Sequence, residues 1–232
     1  MNASVVIATY NERENLPELV TQILQLPGFR VIVVDDHSPD GTGAIADSLA
    51  VQFPGRVAVI HRAGTRGLGR SLVEGLKRAL TDGVDVIFQM DADFSHDPKY
   101  LASMAAAAET ADLVIGSRYL QGVSVVNWPL HRIILSTVAN RYIRSVTGID
   151  VSDCTSGYRC WRRDALARIP LDNVVSEGYA FLVETLHLAR RAACRIREVP
   201  IIFVERRQGV SKISSRVLLE SLVVPWRLRL GG

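Results

Sequence analysis

The sequence predicts a single α/β domain built on a mainly parallel sheet with helices on both faces. Three observations carry that prediction. Short β-branched runs alternate with helical stretches through the first half of the chain, the order that crossover connections impose on parallel strands. Several of those runs are apolar throughout, as strands buried on both faces are. The length, 232 residues, fits one such domain, or one with a short appendage, better than two independent cores.

Taken in order, residues 4–9 (SVVIAT) read as the first strand. Residues 14–26 follow as a helix with Leu16, Leu19, Ile23 and Leu26 on one face. Residues 30–35 (RVIVVD) form a second strand, 42–51 a helix, 56–61 a strand, 68–80 a helix and 84–90 a strand. Residues 98–108 read as an Ala-rich helix and 112–116 as a strand. The second half is less regular: a helix over 130–146, a strand or extended segment over 155–161, a helix over 179–191 and a strand over 195–205. From 206 to 232 six basic residues (Arg206, Arg207, Lys212, Arg216, Arg227, Arg229) face one acid, Glu220. Ile213, Val217, Leu218, Leu222, Val223 and Trp226 lie between them at roughly helical spacing. We therefore expect a catalytic domain over 1–210 and a basic amphipathic segment over 211–232.

Composition excludes several classes. With 48% hydrophobic and 22% charged residues the chain is not intrinsically disordered. Its net charge of 27 − 24 = +3 gives no footprint for nucleic acid. No uninterrupted apolar run reaches the roughly 18 residues of a spanning helix, and no basic region with a long apolar one after it marks a signal peptide. Three scattered cysteines (Cys154, Cys160, Cys194) do not form a disulfide framework and fit a reducing cytosolic setting. The five histidines lack metal-site spacing and no G-x-S-x-G is present, which argues against a zinc enzyme or serine hydrolase.

Ligands of open α/β sheets bind beyond the carboxyl ends of the strands. Those ends carry Tyr10-Asn11-Glu12, Asp35-Asp36, Arg62 with a Gly-rich loop, Asp91-Ala92-Asp93 and Ser117-Arg118-Tyr119. Residues two apart on extended backbone project to one side, so Asp91 and Asp93 make a natural site for a hard divalent ion; the plainer reading is a solvated pair opening a loop. A carboxylate of Asp35-Asp36 can serve a base or ribose, or only the Pro39-Asp40-Gly41 turn. Arg66-Gly67-Leu68-Gly69-Arg70 either lets backbone N–H groups approach phosphate or is an ordinary strand-to-helix turn; it lacks the Gly-Lys-Ser/Thr of a P-loop. Arg118, Arg132, Arg206 and Lys212 are expected along the same edge as phosphate-binding cations, each with a surface ion pair as its alternative. Gly209-Val210-Ser211-Lys212 has the glycine, hydroxyl and ammonium that suit phosphate binding on a loop.

Together these pieces resemble the family 2 glycosyltransferases and, within them, the dolichyl/polyprenyl-phosphate mannose synthases. The resemblance rests on Ala8-Thr9-Tyr10-Asn11-Glu12-Arg13-Glu14-Asn15-Leu16, Val34-Asp35-Asp36-His37-Ser38-Pro39-Asp40-Gly41-Thr42 and Gly67-Leu68-Gly69. It continues through Asp91-Ala92-Asp93-Phe94-Ser95-His96-Asp97-Pro98, Gly116-Ser117-Arg118-Tyr119 and Gly209-Val210-Ser211-Lys212. It implies the GT-A fold, a Rossmann-like, nucleotide-diphospho-sugar transferase architecture. By the same resemblance Ala8, Tyr10, Glu12, Val33 and Asp35 would hold the base and ribose, and Asp91, Ala92 and Asp93 the sugar nucleotide, with Mg²⁺ or Mn²⁺ on the carboxylates. Ser95 stands where some relatives place Gln as a third metal ligand. Asp93, Arg118, Arg206 and Lys212 would be the catalytic set, and Ser211, Arg118 and Arg132 would take the acceptor phosphate. The chain departs from the family pattern at Ala8 (often Pro), His37 (often Gly) and Phe181-Leu182 (commonly Phe-Gln).

The implied reaction is inverting, metal-dependent transfer of mannose from GDP-mannose to a polyprenyl monophosphate. An ionised acceptor phosphate needs no general base; Glu177 is the best spare carboxylate if one is used, with a structural role as its alternative. The 211–232 segment would bind the cytoplasmic face of a membrane peripherally, or pack as a C-terminal helix on the domain's own core, and a membrane-anchoring partner protein fits the same reading. Rivals are a UDP-glucose-dependent polyprenyl-phosphate glucosyltransferase, a transferase acting on a saccharide or protein hydroxyl, a silent nucleotide-sugar binder, and a nucleotidyltransferase.

Overall fold

A computed structural model describes residues 1–205 and 215–231, with side chains described for 1–205 and 222–231. Its first half follows the predicted alternation: β1 (Ala3–Thr9), α1 (Leu16–Leu24), β2 (Phe29–Asp35), α2 (Thr42–Gln52), β3 (Val57–His61), α3 (Leu68–Thr81), β4 (Val86–Met90), α4 (Leu101–Ala107) and β5 (Leu113–Ser117). Then come β6 (Val125–Val126), α5 (Leu130–Thr147), β7 (Arg159–Arg162), α6 (Arg163–Leu166), α7 (Gly178–Arg191), β8 (Ile196–Pro200), β9 (Phe203–Val204) and α8 (Ser215–Leu230).

Seven strands form one sheet in the order β3-β2-β1-β4-β7-β5-β8. Every pairing is parallel except those of β7, which runs antiparallel between β4 and β5. β6 and β9 pair as a separate two-stranded ribbon. The period of two along each strand divides the core. Val5, Ile7, Val31 and Val33 pack with Leu16, Leu19 and Ile23 of α1 and with Leu101 and Met104 of α4. Val6, Ile32 and Val34 face the other way, onto Leu72 and Leu76 of α3 and Phe181 and Leu186 of α7. α3 lies close to the sheet because Gly75 has no side chain; a Cβ there would sit 2.3 Å from Val6 Cγ1.

Several expected bounds shift. The helix expected over 14–26 is Leu16–Leu24, with Pro17 in its first turn. That expected over 98–108 begins as a 3₁₀ turn, Pro98–Tyr100, before α4. The segment read as 155–161 is strand only over Arg159–Arg162, because residues 153–157 are held as a loop by polar side chains. The strand expected over 195–205 breaks after Pro200 into β8 and β9, which belong to different sheets. At its start Asp112 accepts from the Arg195 backbone N–H (2.8 Å), Nε (3.1 Å) and Nη2 (3.1 Å), clamping β5 to β8.

α8 docks by one face. Val224 is buried, Arg227 Nη2 donates to Ser176 Oγ (2.8 Å) and Tyr142 Oη donates to the Leu222 carbonyl (2.6 Å). Leu222, Val223, Trp226 and Leu230 remain exposed on the other face. Among the described residues, no helix is long and apolar enough to cross a membrane.

Candidate active site

The carboxyl ends of β1, β2 and β4 open into one cavity of about 820 Å³, closed on the far side by α5, α7 and the β6–β9 ribbon. Ala8, Tyr10, Glu12, Asp91, Ala92, Asp93, Ser95, Arg118 and Arg132 all line it, so nine of the predicted site residues meet in one place.

The β1 end is latched to the loop after β2. Asp35 Oδ1 accepts from Thr9 Oγ1 (3.2 Å) and Ser38 Oγ (2.6 Å), and Ser38 Oγ accepts from the Asn11 N–H (3.1 Å). Asp40 accepts from Thr42 Oγ1 (2.6 Å) and from the Arg13 N–H (3.3 Å), while Thr42 Oγ1 also accepts from the Glu12 N–H (3.0 Å). Tyr10 lies under the Arg66 guanidinium, 4.6 Å from its ring centre. Val33 and Asp35 do not line the cavity: the Val33 side chain is fully buried in the core, and the Asp35 carboxylate is engaged with the loop. Asp36 lines it in their stead.

The Gly-rich loop does not offer its amides to a phosphate. The Gly67 N–H donates to Asp36 Oδ2 (2.7 Å) and the Gly69 N–H to Glu177 Oε2 (2.8 Å). Asp36 is further ion-paired with Arg62, and Glu177 with Arg70 (3.1 Å). A Cβ on Gly69 would fall 2.5 Å from the Ser176 carbonyl, which explains the glycine. Glu177 thus ties the loop to the start of α7.

At the β4 end, Asp93 is buried, and its Oδ1 accepts from both the Ser95 N–H (3.1 Å) and Ser95 Oγ (2.6 Å). Ser95 therefore orients that carboxylate. The Asp91 N–H donates to His96 Nδ1 (3.0 Å), so that nitrogen carries no proton. Burial, opposed by the Asp91 and Asp93 carboxylates, holds His96 below the ordinary imidazole range, and the ring is neutral at pH 7. It stacks on Tyr158 with 4.9 Å between centroids. Among the described residues no three His, Cys, Asp or Glu side chains gather at one point. The donor set at Asp91 and Asp93 still fits a magnesium-like ion, which takes one or two carboxylates and completes its shell with water and phosphate oxygens.

The opposite wall carries two guanidiniums, each paired with a carboxylate. Arg118 is buried and bidentate on Asp153, with Nε to Oδ2 and Nη2 to Oδ1 both at 2.7 Å. Burial alone would raise the Asp153 pKa, but the Arg118 guanidinium outweighs it and holds the carboxyl below the usual range. Arg132 pairs with Glu205 and lies 4.0 Å over the Trp128 ring. Arg206, Ser211 and Lys212 fall outside the described residues. Sequence reasoning left open which carboxylate of Asp35-Asp36 serves a ligand, and it missed His96, Trp128 and Asp153. The His96 position, five residues after Asp91, was a usable signal; the pairing of Arg118 with Asp153 had none.

Residues 4–169 match the family model described as Glycosyl transferase family 2. The chain is 45% identical over 229 residues to a polyprenol monophosphomannose synthase of Mycolicibacterium smegmatis, covering 97% of this chain and 86% of that one. It is 44% identical over 224 residues to an undecaprenyl-phosphate mannosyltransferase of Micrococcus luteus, covering 96% and 92%. It is 35% identical to a dolichol-phosphate mannosyltransferase of Pyrococcus furiosus, over 98% of this chain but only 64% of that one. A glucosyl-3-phosphoglycerate synthase from Mycobacterium tuberculosis, crystallised with Mn²⁺ and UDP, superposes with a TM-score of 0.69 at 18% identity, covering 99% of this chain and 80% of that one. With a family match over residues 4–169 and a sheet that superposes on that of a GT-A glycosyltransferase, the chain belongs to glycosyl transferase family 2 and is a glycosyltransferase of the GT-A fold.

Proposed function

We propose that this enzyme transfers mannose from GDP-mannose to a polyprenyl monophosphate, with inversion at the anomeric carbon. The observation that carries the reading is the meeting, in one cavity, of a carboxylate edge at Asp91 and Asp93 with the guanidiniums of Arg118 and Arg132, in a chain 45% identical to a polyprenol monophosphomannose synthase.

An oxygen of the acceptor phosphate attacks C1 of the sugar. The new O–C1 bond forms as the bond from C1 to the β-phosphate oxygen breaks, and the electron pair leaves on GDP. The acceptor is already ionised at neutral pH, so no side chain has to remove a proton. Glu177 accordingly acts as the tether of the Gly-rich loop, through Gly69 and Arg70. Asp91 and Asp93 would hold Mg²⁺ or Mn²⁺, whose charge would offset that of the departing diphosphate. Ser95 orients Asp93 for that task. Arg118 and Arg132 turn guanidinium N–H groups toward phosphate oxygens, a role the family resemblance also implies for Arg206, Ser211 and Lys212, which lie outside the described residues.

The acceptor is a lipid, and the exposed surface supports peripheral membrane binding. Leu130, Ile134, Leu135 and Val138 of α5 are exposed, as are Leu222, Val223, Trp226 and Leu230 of α8, which packs beside α5. Exposed Arg141 and Arg144 on α5 suit anionic headgroups, while Arg227 and Arg229 of α8 donate instead to Ser176 Oγ and the Val146 carbonyl.

The test incubates the purified chain with Mg²⁺, a polyprenyl phosphate and radiolabelled GDP-mannose, UDP-glucose or UDP-GlcNAc in parallel. Lipid-extractable label from GDP-mannose alone is expected. Label from UDP-glucose alone would replace the mannose assignment, and label from none would overturn the reading.

A further inference from the structure

Four buried side-chain polar atoms have no hydrogen-bond partner among the described residues: Ser4 Oγ, Gln89 Nε2, His187 Nδ1 and Trp128 Nε1. Of these residues only Trp128 lines the cavity. An indole N–H can only donate, and a buried donor without an acceptor is costly enough to need an explanation. The ring is also fixed in place. The Arg132 guanidinium lies 4.0 Å over it, that of Arg118 5.6 Å away, and Phe203 packs edge-on at 5.3 Å. A neutral donor flanked by two cavity guanidiniums calls for an anionic oxygen.

The fold indicates which anion. Trp128 joins β6 to α5 and Phe203 lies in β9, segments that follow β5 and β8. Those strands stand in the opposite half of the sheet from β2 and β1, and the loop after β1 carries Tyr10 and Glu12. We propose that the Trp128 indole N–H donates to a non-bridging oxygen of the acceptor's phosphate monoester, between Arg118 and Arg132, and so helps select a phosphate acceptor. This rests on the functional reading above.

Trp128→Phe isolates the N–H, because the phenyl ring keeps an aromatic face for Arg132. Farnesyl phosphate and GDP with Mg²⁺ are titrated separately by calorimetry into the full chain and the variant, and thermal melting is followed in parallel. Losing one hydrogen bond to a charged group should weaken farnesyl phosphate about tenfold. GDP affinity should stay unchanged, and the melting temperature should not fall, since the variant removes an unsatisfied donor. In ¹⁵N spectra the indole cross-peak missing from the variant should move on adding farnesyl phosphate and not on adding GDP. Equal farnesyl phosphate affinity in both proteins would overturn the assignment. So would a loss confined to GDP, which would give the N–H to the donor diphosphate, or an equal loss of both ligands with a lower melting temperature, which would make the role structural. If the wild-type chain bound no farnesyl phosphate and transferred no mannose, the functional reading itself would fall.

Discussion

Replacing Asp153 with Asn separates what Arg118 does for the fold from what it does for the reaction. The Asp153 side chain is fully buried, and its carboxylate accepts from the Arg118 backbone N–H (3.0 Å), Nε (2.7 Å) and Nη2 (2.7 Å). An amide of the same shape keeps one acceptor oxygen but turns an NH₂ toward a guanidinium nitrogen. At least one charge-assisted hydrogen bond is then lost, about 1.5–3 kcal/mol, and a buried guanidinium is left without its counter-ion. Breaking a buried pair on one side costs about 3–5 kcal/mol in total. At about 2–4 °C per kcal/mol for a domain of this size, melting should fall by about 6–20 °C. Arg118→Met should cost a similar amount, because it strands Asp153. The double variant Arg118→Met/Asp153→Asn should cost less than the two single effects added, because neither charge remains, and yet it should transfer no sugar. Calorimetric melts of the four proteins close the cycle. An Asp153→Asn protein within about 1 kcal/mol of wild type, as a surface pair would give, or strictly additive single effects, would refute the coupling.

The remaining expectations concern the loop, pH and the membrane face. Glu177→Gln keeps an acceptor for the Gly69 N–H and should cost under about 1 kcal/mol with transfer largely retained; a loss of about 100-fold or more would reveal a general base after all. Gly69→Ala meets the Ser176 carbonyl and should destabilise by about 1–3 kcal/mol in urea melts. Asp112, hydrogen-bonded by Arg195, has its pKa lowered to about 2. Because the folded pKa is depressed, that contribution is complete above the unfolded value of about 4 and disappears as pH falls toward 2. Asp112→Asn should therefore flatten the acid limb of stability, read from melts between pH 6 and about 2.5. Ile134→Glu/Trp226→Glu should lose flotation with anionic vesicles while melting as wild type does; unchanged flotation would remove α5 and α8 from the membrane reading.

The fold was legible where one face of each element had a single environment. β1, β2 and β4 are apolar because both sides are covered, and α1 and α3 show their buried stripes at helical spacing. Reading failed where the partner was remote. Nothing local says that β7 inserts antiparallel between β4 and β5, or that Pro200 divides two sheets. The site divides in the same way. Asp91 and Asp93 could be found because a strand end projects alternate residues to one side. Arg118 could be found as a cation, but not that Asp153, 35 residues later, holds it. The Gly-rich loop looked open to phosphate because the carboxylates that take its amides, Asp36 and Glu177, lie 31 and 108 residues away. Val33 was implied as a nucleotide contact by the family resemblance alone, yet the period of two turns its side chain into the core.

The proposed metal site rests on the two carboxylates at the end of β4. Manganese binding in the presence of GDP, followed by electron paramagnetic resonance, addresses them without relying on turnover. Wild-type protein should take up Mn²⁺ with GDP, Asp93→Asn should lose that uptake while melting normally, and Ser95→Ala should only weaken it. An Asp93→Asn protein that held Mn²⁺ and GDP as tightly as wild type would contradict the account.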